Sequence, residues 1–197
     1  MRQRTMELQK VVLEGETFIK NAEDALARAI LSEDQLYVWD NQVEVIDLYL
    51  ADTEDVDGQS PEVKQVRTHL RDLKNQLEKK SIEFLAKQDG QSVPEDGTPD
   101  EVAAEFEAFA DEVLAMANDA LKAKVKGVDE LEKWEQPFTD LSGFLADTEP
   151  YKGNKKLAEK REKIRKARAE LKAKIDDMMR QWRESDLAGG EAEEDEE

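Results

Sequence analysis

The chain has 197 residues, 39% apolar and another 39% charged, with a net charge of −19, so burial has to come from narrow apolar stripes. That acidity argues against nucleic acid or an anionic membrane as a partner of the whole chain. The absence of cysteine removes disulfides, thiolate metal sites and a cysteine nucleophile, while nine Gly, five Pro and abundant Ala, Leu, Glu and Lys predict an all-α fold.

The first ten residues, "MRQRTMELQK", have no apolar core of the kind a signal peptide needs, and no apolar run is long enough to cross a bilayer. The expectation is a cytoplasmic chain with no direct membrane insertion. Apolar residues then recur at i, i+3/i+4 and i+7, which predicts helices over residues 5–31, 33–51 and 61–87. Ser32 opens "SEDQ", a capping-box pattern, and Ser60 followed by Pro61 and Glu62 marks the start of the third helix. The stretch "DGQSVPEDGTP", residues 89–99, is rich in turn formers and reads as a linker.

Three more helices are expected over residues 100–126, 130–146 and 154–184. Pro137 should kink the turn around Trp134. Whether residues 26–40 and 121–135 are broken or continuous helix is open, and the Ser32 and Gly127 signals favour a break. The organisation expected is a repeat over 1–88, a linker over 89–99, a second repeat over 100–186 and a disordered acidic tail over 187–197. Six acids stand in the last seven residues, after a Gly-Gly pair, and the body remains acidic without them.

The second half repeats the first. "YLADTED" at residues 49–55 returns as "FLADTEP" at 144–150, an offset of 95 that also places Leu36 on Leu131, Trp39 on Trp134 and Gly58 on Gly153. Past the glycine the offset becomes 94, with Leu70 on Ile164 and Leu77 on Leu171. The matched positions are mostly apolar, so Trp39, Trp134, Leu50, Leu145, Leu70, Ile164, Leu77 and Leu171 are the expected core. "LADTE" itself reads as a helix end followed by a solvated turn. As a calcium loop, "TEDVDG" puts Thr53 where an EF-hand wants Asp and Lys64 where it wants a bidentate Glu, and "TEPYKG" is poorer still.

Two charge blocks stand out. Residues 89–121 hold ten acids and no Lys or Arg, while residues 152–174 hold eleven basic residues against three acids. They are expected either to pair as neighbouring helices or to leave a basic docking face at Lys160, Arg161, Arg165 and Arg168, joined by Trp182. His69, the only histidine, has neither a Glu-x-x-His partner nor a nucleophile beside it in sequence. Phosphate loops and HExxH are absent. No catalytic, cofactor-binding or metal residue is assigned, and no enzymatic activity or small-molecule substrate is expected.

"LYVWDNQVEVIDLYLA" and "LEKWEQPFTDLSGFLA" resemble the Trp-bearing first helix of the spectrin-repeat family, and "VKQVRTHLRDLKNQLEKKSIEFL" is similar to its second helix. The spacing of 95, Pro137 and a Gly or Ser at the inter-repeat junction depart from the family pattern and point to a divergent, nesprin-like member from a giant cytoskeletal linker. The resemblance implies tandem three-helix bundles serving as a spacer and partner-docking module of the cytoskeleton or the cytoplasmic face of the nuclear envelope. Its partners would be cytoskeletal proteins or neighbouring repeats. The alternative is an acidic helical adaptor or chaperone that binds a basic client.

Overall fold

The computed structural model describes residues 2–90, 92 and 97–190. They form six helices and short 3-10 turns, with no strand among the described residues: α1 (Arg2–Leu26), α2 (Tyr37–Asp52), α3 (Pro61–Asp89), α4 (Pro99–Lys122), α5 (Glu132–Thr148) and α6 (Lys155–Gly190). Contacts divide the chain into unit 1, Met1–Gly97, and unit 2, Thr98–Glu197. In unit 1, α1, α2 and α3 each pack against the other two; in unit 2, α4, α5 and α6 do the same.

The helix starts follow local chemistry. Ser60 accepts a hydrogen bond from the Val63 amide, with Pro61 in the first turn of α3. Thr98 and Glu101 form a full capping box on α4: the Thr98 amide donates to the Glu101 carboxylate and the Glu101 amide to the Thr98 hydroxyl. The Thr98 hydroxyl and amide hold Glu101 below the usual carboxylate range. Asn154 accepts from the Leu157 amide at the head of α6. Gly90 ends α3 with φ +64°, a left-handed conformation that glycine adopts without penalty.

The cores are heptad stripes. On α4, Ala103, Ala110, Val113, Ala117 and Ala120 are buried; on α6, Leu157, Ile164 and Leu171 are fully buried. In unit 1, Ala22 and Ala25 of α1, Ile46 and Leu50 of α2, and Val63, Leu70 and Leu77 of α3 are buried. Small residues on α1 and α4 let the neighbouring helices approach closely.

Gly15 is the extreme case. A Cβ there would lie 2.2 Å from Val66 Cγ1 and 2.6 Å from Tyr49 Oη. The Tyr49 hydroxyl donates to the Val11 carbonyl at 2.9 Å, so the glycine clears the space in which a buried phenol can reach α1. Burial pushes this hydroxyl up to about 12, with Arg67 pulling it down and Glu14 adding to the rise. Unit 2 has Phe144 and Ala110 at the matching positions, where no hydroxyl needs the room. Gly15→Ala should therefore destabilise unit 1 by ~1–3 kcal/mol in spite of a helix-propensity gain of about 1 kcal/mol, and Tyr49→Phe should recover part of the loss. Urea titrations of the single and double variants check this; a more stable Gly15→Ala would contradict the close approach.

Several boundaries differ from the sequence expectation. α1 stops at Leu26 and α4 at Lys122, four or five residues early, and extended backbone and 3-10 turns lead into α2 and α5. Helix is thus broken within both 26–40 and 121–135. α5 runs without interruption through Pro137 in its second turn, forgoing the bond that the Lys133 carbonyl would accept. α6 extends to Gly190, so residues 187–190 belong to a helix and not to the expected tail; residues 191–197 lie outside those described.

Candidate functional site

The early stop of α1 has a tertiary cause. Carbonyls in the last turn of a helix lack intrahelical donors. Here Trp39 Nε1 donates to the Ala25 carbonyl at 3.1 Å and Lys80 Nζ to the Leu26 carbonyl at 3.0 Å. The ammonium also lies 5.9 Å from the centre of the Trp39 ring and brings positive charge to the negative end of α1. Unit 2 repeats each contact: Trp134 Nε1 to the Ala120 carbonyl at 3.1 Å, Lys174 Nζ to Leu121 at 2.7 Å, and the ammonium 5.1 Å from the Trp134 ring. The chain beyond each break is caught the same way, by the Leu31 amide on Gln35 and the Lys126 amide on Glu130. The Lys126 amide, with the Lys133 ammonium nearby, holds Glu130 below the usual carboxylate range.

A second cluster closes the ends of α2 and α5, and "LADTE" supplies its centre. Arg67 is fully buried; Nη1 donates to the Leu50 carbonyl at 2.8 Å and to the Thr53 hydroxyl, and Nε to Asp57 at 3.2 Å. Thr53 in turn donates to the Tyr49 carbonyl at 2.7 Å. In unit 2, Arg161 donates to the Leu145 carbonyl at 2.7 Å and to Thr148, which donates to Phe144 at 2.6 Å. The threonines are buried, as is Glu149. The motif is therefore not the solvated turn expected from sequence: its threonine relays an arginine to the helix end.

One buried position changes chemistry between the units. Lys74 pairs with Asp47 at 2.5 Å and with Glu78 at 3.4 Å in unit 1. In unit 2, Arg168 Nε donates to Ser142 at 2.6 Å, and its guanidinium sits 4.4 Å from the centre of the Phe138 ring.

The residues singled out from sequence are placed as follows. Trp39, Trp134, Leu50, Leu145, Leu70, Ile164, Leu77 and Leu171 are all buried. The proposed basic docking face does not hold together: Arg161 and Arg168 are inside unit 2, spent on carbonyl, hydroxyl and ring contacts. Lys160 reaches the Glu107 carbonyl at 2.8 Å and Asp111 at 2.9 Å, and Lys156 pairs with Glu107 at 3.3 Å. Parts of the two charge blocks thus meet across α4 and α6. Arg165 pairs with Glu162 on its own helix at 2.8 Å, and Trp182 is 44% exposed. His69 lies 3.7 Å from Glu23, both half exposed.

The sequence reading missed the interior role of Arg67 and Lys74 as well. On the surface of unit 1 it also missed a groove floored by Leu8, Val12 and Leu13 and rimmed by Glu16, Ser60 and Glu62. Among the described residues, no three His, Asp or Glu side chains converge to hold a metal ion, and no helix is long and apolar enough to cross a membrane.

The chain is an all-helical bundle protein in which one scheme of polar helix-end contacts is used in each unit. Compared with protein-family models, curated proteins and solved structures, it finds no match in any of the three.

Proposed function

We propose that the chain is a non-catalytic scaffold: two three-helix repeats of spectrin-like kind in tandem, acting as a helical spacer and partner-docking module. The observation that carries this reading is the duplicate framework. Trp39, Lys80, Arg67 and Thr53 make the same contacts as Trp134, Lys174, Arg161 and Thr148. A protein that spends a buried arginine and a lysine on closing helix ends in each of two units is organised for resistance to opening. Reaction chemistry would instead place such groups in an open cleft. The spectrin-like sequence of the Trp helices supports a location on the cytoskeleton or the cytoplasmic face of the nuclear envelope, with cytoskeletal proteins or neighbouring repeats as partners.

The test is to pull the full chain between its termini in an optical trap. Two separate, reversible unfolding events are expected, one per unit. A single event, or extension with no resolvable resistance, would overturn the spacer reading. The open acidic groove of unit 1 favours a second reading, an adaptor for a basic client.

A further inference from the structure

The groove of unit 1 occupies the seam between α1 and the head of α3. Unit 2 has the same seam between α4 and the head of α6, where Glu107, Asp111, Lys156 and Lys160 stand in place of Val12, Glu16, Glu62 and Val66. There the seam is shut by Lys156 on Glu107 and by Lys160 on Asp111 and the Glu107 carbonyl. Unit 1 has lost both lysines. One is replaced by a carboxylate, Glu62, and the other by the buried Val66.

What remains open is chemically specific. Leu8, Val12 and Leu13 form an apolar floor under a volume of roughly 550 Å³, and Leu13 is 64% exposed. Glu16 keeps the acid found at Asp111 but has no ion pair among the described residues. Glu62 is fixed by the Ser60 hydroxyl at 2.8 Å, and its own amide and that hydroxyl hold it below the usual carboxylate range. Glu62 is therefore charged at neutral pH, and neither rim carboxylate has a cation set against it among the described residues, above exposed leucine surface. The sister seam shows what completes such a site: an ε-ammonium group on a helix laid alongside.

We propose that this groove docks a lysine-bearing amphipathic helix of a partner protein, with apolar residues on Leu8, Val12 and Leu13 and a basic side chain between Glu16 and Glu62. A second copy of the chain is a poor occupant, because a net charge of −19 on each molecule opposes its approach. A basic helix gains from the same field, and its lysine replaces the cation that unit 2 carries internally. The proposal goes beyond the spacer reading, since the pulling experiment reports resistance to opening and says nothing of the groove.

The probe is a fluorescent synthetic peptide of residues 155–174, "KKLAEKREKIRKARAELKAK", which joins basic residues to an apolar stripe. Titrated with the full-length protein, it should show saturable binding by anisotropy that weakens as salt is raised. Leu13→Glu, at an exposed position, should weaken binding roughly tenfold while leaving helical content and unfolding midpoint unchanged, and Glu62→Lys should weaken it as much with a small fall in the midpoint, because it sets a cation at the head of α3. A peptide with Leu157 and Ile164 replaced by serine should bind more weakly than the parent. Absence of saturable binding overturns the proposal. So does binding indifferent to both protein variants, which would put the peptide elsewhere, for instance in unit 2 in place of α6. Concentration-dependent dimerisation abolished by Leu13→Glu would assign the groove to a second copy and overturn it equally.

Discussion

Trp39→Ala and Trp134→Ala are each expected to destabilise their own unit by ~3–5 kcal/mol while the other unit melts as before. Both indoles are more than nine-tenths buried. Truncation leaves a cavity among α1, α2 and α3, or α4, α5 and α6, that leucine and alanine neighbours cannot refill. It also removes the donor to Ala25 or Ala120 and the ring on which Lys80 or Lys174 rests. The two contributions separate with phenylalanine in place of tryptophan. That change keeps most of the apolar volume and loses the N–H, so about 1 kcal/mol of its cost reports the bond to the helix end. Guanidinium unfolding followed by circular dichroism resolves the effect as one displaced transition beside one unmoved. If both alanine variants unfold like the parent chain, the tryptophans do not hold the cores together.

The tryptophans were legible in the sequence because they recur at a fixed offset within an apolar stripe, and the six helices were legible for the same reason. The helix ends were not. Residues 27–31 carry no stop signal, and α1 ends at Leu26 because its last carbonyls are taken by Trp39 and by Lys80, more than fifty residues downstream. Groups brought in by tertiary structure leave no local trace. Arg161 and Arg168 are a different case, since their position did carry a signal. They stand four residues after Leu157 and Ile164, on the stripe that continues to Leu171, as Arg67 and Lys74 stand on the stripe of Val63, Leu70 and Leu77. Reading the eleven basic residues of 152–174 as one surface block ignored that register. Periodicity places a side chain at the core boundary whatever its charge, and a long cation there needs an acceptor inside. For Arg67 and Arg161 the repeated threonine of "LADTE" is such an acceptor, a role that composition could not assign.

Arg67→Ala is expected to cost unit 1 ~3–5 kcal/mol, because one deletion strips the Leu50 carbonyl, the Thr53 hydroxyl and Asp57 of a common donor inside the fold. The size of the loss reflects the groups left behind more than the attraction removed. Burying the guanidinium is itself costly, and the network is favourable only when every member is bonded. Arg67→Lys should therefore recover only part of the stability: a single ammonium lacks the planar fork that serves two acceptors from one side and Asp57 from Nε. Thr53→Val tests the same logic from the acceptor side, keeping volume and removing the hydroxyl. The Arg67–Thr53 and Arg161–Thr148 double-mutant cycles should each return a coupling of about 0.5–3 kcal/mol. Coupling near zero in both would mean that the threonines do not help to hold the arginines. Coupling in both units would show that the second "LADTE" restates a buried hydrogen bond along with a helix end, and would tie the stability of each unit to the threonine of its own copy.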